Sequence, residues 1–247
     1  MLRVSFIGSG NVATRMADGF RAVGVEVMQM CSPHHGEPVG SLRPDDVDMV
    51  IVAVSDDAIP SVLAQIPDAG KALWVHTAGS VAISVFDTAK FPRHGVFYPM
   101  QTMSRDLQVD WSRVPLFVEG DSPTTLQFLL DTGKLLTPNV RELNSGNRLK
   151  LHSAAVVGCN MVMYLWAVAD SILQRAGIDF EVLRPLLEVT LQRTASLSPR
   201  QAITGPARRG DIHTIMKHLA TLPTDEAETY RFISQQILNI FNPEIKL

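Results

Sequence analysis

Apolar residues in the first part of the chain come in short runs, each cut off by glycine, proline or small polar residues. Such runs occupy residues 3–7, 26–30, 48–54, 72–76, 95–98, 115–119 and 140–143. The run at 48–54 is apolar without alternation after its first residue, as in a strand buried on both faces of a sheet. Between the runs, residues 14–23, 59–66 and 124–136 carry the spacing of amphipathic helices. Strands alternating with helices predict an α/β fold, a doubly wound parallel sheet. After Asn144-Ser145-Gly146-Asn147 the alternation stops. A long apolar helix is predicted over 148–176, with Gly177 past its end. Further helices are predicted over 179–196, 211–221 and 225–241. The pattern divides the chain into a first domain at 1–144 and an all-helical second domain at 145–247.

Composition narrows the reading. The chain has 247 residues, 46% of them hydrophobic and 19% charged. A chain of this size can bury roughly 70–75% of the surface exposed when unfolded. Its formal net charge of −3 gives no basic excess for nucleic acid or anionic lipid. Its two cysteines, Cys31 and Cys159, lie too far apart in sequence for a disulfide framework or zinc motif. A reducing, cytoplasmic setting fits, and no metal site is expected. Residues 1–5 already run into the first strand, which leaves no room for a signal peptide. Polar residues interrupt the apolar stretches before about 18 positions, so no membrane span is expected.

The chemistry starts where the first strand ends. Gly8-Ser9-Gly10-Asn11-Val12-Ala13 follows residues 3–7 at once and opens a helix. This is the G-x-G-x-x-A form of the dinucleotide fingerprint, and its context is that of a Rossmann sheet. Gly8 permits the tight turn, Gly10 leaves the backbone open to a pyrophosphate, and Ala13 lets the helix lie close to the strand. The helix N-terminus then offers N–H groups to the phosphates. An NAD site places a carboxylate about 20 residues past the glycines. Here the place holds Cys31-Ser32-Pro33-His34-His35, with no carboxylate. That favours NADP over NAD, with Ser32 toward the 2′-phosphate. The same stretch also reads as a plain surface loop in which both histidines are idle.

Ligands of such sheets bind beyond the carboxyl ends of the strands. By that rule Gly8, Ser9, Gly10, Asn11, Val12, Ser32, Val54, Ser55, Thr77, Ala78 and Gly79 face the cofactor. Tyr98 and Gln101 fall on the substrate side of the same crevice. Asp56 and Asp57 read as helix N-caps. Thr77-Ala78-Gly79-Ser80 reads equally as a turn or as backbone approaching the nicotinamide.

On the first long helix His152, Ser153 and Asn160 interrupt an apolar sequence. Ser153 and Asn160 share a stripe in an α-helix, with His152 beside it. Buried polar groups need partners. Either His152 and Asn160 are core residues satisfied by backbone, or they line a gap where a hydride acceptor sits. In the second case His152 handles the proton and Asn160 orients the acceptor. Lys150, a competing acid, points roughly opposite His152. In Thr204-Gly205-Pro206-Ala207-Arg208-Arg209-Gly210-Asp211, Arg208 and Arg209 suit a carboxylate or phosphate, or are solvated surface arginines. Asp211 is placed as an N-cap.

These stretches resemble a family of Rossmann-like oxidoreductases with a helical C-terminal domain of unknown function. Its relatives include pyrroline-5-carboxylate reductase, 6-phosphogluconate dehydrogenase and ketopantoate reductase. The matching segments are residues 6–13, 75–80, 95–102, 151–155 with 159–160, and 204–211, so the resemblance spans the chain. It implies an NADP-linked oxidoreductase and a homodimer built through the helical domain, but names no substrate. Where such proteins often place Ser-Arg-Thr after the second strand, this chain has Ser32-Pro33-His34. Dehydrogenase relatives use a lysine on the first long helix, whereas here the polar groups are His152 and Asn160. The leading expectation is an NADP-dependent enzyme that moves hydride to or from a small, polar, anionic carbonyl, hydroxy acid or imine. The alternative is an NADP(H)-binding sensor or scaffold without catalysis.

Overall fold

The computed structural model describes residues 1–32 and 37–247. The expectations for His34 and His35 lie outside the described residues. The chain forms two compact units, Met1–Val156 and Val157–Leu247.

The first unit is built on a seven-stranded sheet: β1 (Arg3–Ile7), β2 (Glu26–Cys31), β3 (Met49–Val52), β4 (Leu73–His76), β5 (His94–Pro99), β6 (Leu116–Gly120) and β7 (Val140–Glu142). The spatial order is β2-β1-β3-β4-β5-β6-β7. The first five strands are parallel, as the doubly wound pattern predicts. β6, however, runs antiparallel to β5, and β7 is parallel to β6. The departure from an all-parallel sheet has a local cause. A parallel return needs a crossover of a dozen or more residues, usually helical. Residues 100–115 contain only the 3₁₀ turn Trp111–Arg113, so the chain re-enters the sheet from the end it left.

Side-chain alternation along these strands builds two cores. Val4, Phe6, Met49, Ile51, Leu73, Val75 and Phe97 point to one face, under α1 (Asn11–Ala22) and α3 (Pro123–Leu136). Ile7, Val50, Val52 and Trp74 point to the other, against α2 (Ile59–Gln65), Phe86 and Phe91. Both faces are thus covered, as unalternating apolar strands require. α4 (Ser145–Ala155) completes this unit.

A five-residue π turn, Val156–Asn160, follows α4 and leads into α5 (Met161–Arg175). Seven residues no longer equal two α-turns across that segment, so the stripe expected of Ser153 and Asn160 is broken. The second unit continues with α6 (Arg184–Gln192), α7 (Pro199–Ala202), α8 (Pro206–Arg209), α9 (Ile212–Leu219) and α10 (Thr224–Phe241). Asp211 caps α9 as expected, accepting from Thr214 N at 3.0 Å. The core of this unit is small, centred on Ala207, Ile215, Leu219 and Leu238. No residue of α5 is buried, and Met161, Met163 and Tyr164 are more than half exposed.

The helical run Ser145–Arg175 contains an 18-residue window of mean hydropathy 1.6, long and apolar enough by length and composition alone to cross a membrane. Its first third nevertheless belongs to the sheet unit, tied there by a buried ion pair between Arg148 and Glu119.

Candidate active site

The turn after β1 is shaped by two glycines with different constraints. Gly8 has φ +129°, and a Cβ there would lie 2.2 Å from the Ala53 carbonyl oxygen. Only glycine allows the strand to turn so close to the end of β3. At Gly10 nothing lies within 4 Å of a notional Cβ, so the space above the backbone is open. Gly10 is the N-cap of α1 and supplies no side-chain acceptor to the first N–H groups of the helix. Those groups are the anion-binding end of the helix.

A cavity of about 510 Å³ opens over this turn. Gly8, Ser9, Gly10, Asn11, Val12, Ser32, Val54, Ser55, Thr77 and Ala78 all line it. The cavity thus sits at the carboxyl ends of β1, β3 and β4, within the size range of small-molecule sites. Ser9 Oγ and Ser32 Oγ are 3.1 Å apart at its β2 side. Glu37 is near in the chain, but Gln29 Nε2 donates to its carboxylate at 2.7 Å, and Glu37 does not line the cavity. Among the described residues the lining therefore places hydroxyls rather than a carboxylate at the β2 end. Together with the open Gly10 and the uncapped helix start, it fits a dinucleotide that bears an extra phosphate on its ribose.

Gly79 does not line the cavity but stands beside it. A Cβ at Gly79 would lie 2.5 Å from His152 Nδ1, so the missing side chain is what admits the imidazole. His152 Nδ1 is also 3.2 Å from the Tyr98 hydroxyl, with the rings nearly perpendicular at 77°. Tyr98 is buried and His152 half-buried, so the tyrosine lies behind the histidine. Burial raises the Tyr98 phenol above its usual range; the Arg148 charge opposes this and Asp56 adds to it. His152, Gly79 and Tyr98 thus meet beside the cavity, a grouping the sequence did not announce, and Tyr98 is engaged by His152. Gln101 is exposed, and its amide oxygen accepts from Thr102 N in a local turn.

Asp56 corrects another expectation. It lines the cavity, and Ser80 Oγ donates to its carboxylate. The 3₁₀ turn Asp56–Ala58 has no side-chain cap. The second unit holds the remaining candidates. Asn160 ends the π turn and is exposed. The Arg208 guanidinium stacks 4.3 Å from the centre of the Phe241 ring, and Arg209 is exposed. Among the described residues no group of three or more His, Cys, Asp or Glu could hold a metal ion.

Three features were missed from sequence. Met103 lines the cavity, and its carbonyl accepts from Asn11 Nδ2 at 3.0 Å. Ninety-two positions separate the partners, and no local pattern announces such a bond. The second is the anchor of α4. Glu119 accepts from Ser145 N at 2.9 Å, from Ser145 Oγ at 2.7 Å and from Arg148 Nη1. Arg148 Nη2 also donates to Val81 O. Arg148 is 1% exposed and its Nε has no partner.

The third is His76, fully buried at the end of β4. Its Nδ1 accepts from Ala78 N at 3.2 Å, which shapes the turn that presents Thr77 and Ala78 to the cavity. Burial, and then the nearby Arg148 charge, lower its pKa to about 3. Between that value and the ordinary 6.5, the unfolded chain binds a proton that the folded chain refuses. The His76 contribution is therefore intact above the unfolded value and is lost as pH falls. Its slope is about 1.4 kcal/mol per pH unit. Urea melts of the wild type and His76→Gln at about pH 7 and about pH 5 should show the wild type losing about 2 kcal/mol more. Equal losses would show that His76 is not held neutral.

Residues 114–237, just over half of the chain, match the model of a domain of unknown function, DUF2520. A Bacteroides fragilis protein named "putative NADP oxidoreductase" is 32% identical over 96% of this chain and 97% of its own, with a TM-score of 0.89. An Aspergillus terreus reductive aminase, solved with NADPH and ethyl-5-oxohexanoate, is 13% identical over 97% of this chain and 94% of its own, with a TM-score of 0.74. A Plasmodium falciparum pyrroline carboxylate reductase, solved with NADP, is 13% identical over 96% and 98%, with a TM-score of 0.56. The last two likenesses are of fold. No curated protein matches the chain. The sheet, the helical C-terminal unit, the matched model and the Bacteroides relative agree: the chain belongs to the DUF2520 family of Rossmann-fold proteins with a helical C-terminal domain.

Proposed function

We propose that this protein is an NADP(H)-dependent reductase of small polar C=N or C=O compounds. The observation that carries the reading is His152 resting against Gly79, beside a cavity lined by the glycine turn and by Thr77 and Ala78. One wall suits a diphosphate, and the other brings a proton-transfer group to the end of β4. The 32% identical relative is named for NADP, which supports the cofactor. Two fold neighbours are named for reductive amination and for a pyrroline carboxylate, which favours C=N over C=O.

In this reading the amides of residues 8–12 hold the diphosphate, and Ser9 and Ser32 meet the ribose phosphate. A nicotinamide bound there would supply hydride for the carbon of the C=N bond. His152 gives its Nε2 proton to the nitrogen, the imidazolium becomes neutral, and solvent returns the proton. The roles read for Asn160, orienting the acceptor, and for Arg208 or Arg209, holding an anionic group, belong to the same proposal. So does a homodimer through Val157–Leu247. Its support is the apolar surface of α5 together with exposed Val182, Leu186 and Leu191. A solution mass of one 27.1 kDa chain would contradict the dimer.

The functional test is NADPH oxidation, followed by its absorbance, in the presence of cyclic imines, α-keto acids and β-hydroxy acids with NADP⁺. Turnover with an imine is expected. Tight NADPH binding with no turnover across all three classes favours the sensor reading instead.

A further inference from the structure

We propose that Tyr98 is the positioning residue for His152: its oxygen accepts the Nδ1 proton and leaves Nε2 as the only nitrogen that exchanges protons with a ligand. The mechanistic use of this rests on the reductase reading above; the geometry does not.

Three contacts hold the imidazole. Gly79 lies flush against the ring at Cγ and Nδ1. The Tyr98 ring meets it edge to face, centroids 6.1 Å apart. Among the described residues the Tyr98 hydroxyl, 3.2 Å from Nδ1, is the one polar group bonded to the ring. Nδ1 therefore faces the sheet and Nε2 is left for the half-exposed side. A group that gives and regains a proton at Nε2 must keep the other nitrogen protonated throughout, or the ring changes tautomer between turnovers. A phenol oxygen can accept from Nδ1–H whether the imidazole is neutral or charged. Unlike a carboxylate partner, it does so without adding a negative charge beside the acid.

The charged groups around the pair are few. Arg148 lies one turn earlier on α4, and its charge is matched by Glu119 on β6. Asp56, after β3, accepts from Ser80 Oγ. His76, at the end of β4, is held neutral. Tyr98 itself resists ionisation because it is buried. No carboxylate touches the ring in place of Tyr98 among the described residues.

The experiment compares the full-length wild type with Tyr98→Phe, using nitrogen NMR of the histidine side chains and assigning His152 by His152→Gln. In the wild type above the imidazole pKa, His152 is expected as the Nδ1–H tautomer. In Tyr98→Phe it should shift to the Nε2–H form that free imidazole side chains prefer. An Nε2–H ring in the wild type, or the same tautomer in both proteins, overturns the assignment. If the variant fails to fold, the wild-type tautomer alone still decides. With turnover established, Tyr98→Phe should lower kcat about tenfold, displace the alkaline limb of its pH profile, where the acid loses its proton, and leave the NADPH Kd unchanged. A lost melting temperature with an unmoved pH profile would mean that Tyr98 is merely structural. Absent turnover with the Nδ1–H tautomer present would reject the reductase reading and keep this one.

Discussion

Arg148→Ala should lower the unfolding free energy by about 3–5 kcal/mol, the scale for removing one partner of a buried ion pair. The arginine side chain is 1% exposed and that of Glu119 15%. Glu119 keeps its bonds from Ser145 N and Ser145 Oγ but loses the cation that neutralises it. Val81 O loses its donor as well. The cost comes from the stranded carboxylate rather than from the worth of the pair. Arg148→Met with Glu119→Gln should therefore recover most of the loss. Urea unfolding of the wild type, the single variant and the double variant measures this. A single-variant loss under about 1 kcal/mol would make the pair equivalent to a surface salt bridge. Because Arg148 lies in the first turn of the helix that carries His152 and also grips Val81 O, in the turn after Gly79, local loosening should appear there first.

The second large effect concerns turnover. His152→Ala should cut kcat about 10²–10⁴-fold, the usual share of a general acid, while the NADPH Kd changes less than about twofold. The asymmetry follows from place: His152 stands against Gly79, which is outside the cavity lining that the diphosphate would occupy. A large rise in Kd with kcat preserved would move His152 to cofactor binding. An unchanged kcat would remove it from the chemistry.

Much of this site is local in sequence, and for that reason it was legible. Strand, Gly8, Gly10 and helix are consecutive, and each residue type has its own backbone reason. Thr77 and Ser55 followed from the rule that strand ends converge. The reversed direction of β6 was not legible, since residues 100–115 show only that no helix is present. Nor was the Glu119–Arg148 pair, whose partners are 29 positions apart and carry residue types common on surfaces. His76 looked like the last residue of a strand; its neutrality depends on burial, which one sequence does not state. The π turn at Val156–Asn160 has no pattern that separates it from an α-helix, so the stripe of Ser153 and Asn160 was drawn on the wrong register. The contact of Tyr98 with His152 was not legible either, because it depends on Gly79, whose missing Cβ acts in space rather than along the chain.

The central claim is that the glycine turn after β1 grips the diphosphate of NADPH. Calorimetric titration of NADPH into the wild type and into Gly10→Val tests it most directly, because the space above Gly10 is open and a branched side chain would fill it. Saturable one-site binding to the wild type is expected, weakened at least about 100-fold in a variant that keeps its melting temperature. Equal binding by both proteins, or none by the wild type, would contradict the claim.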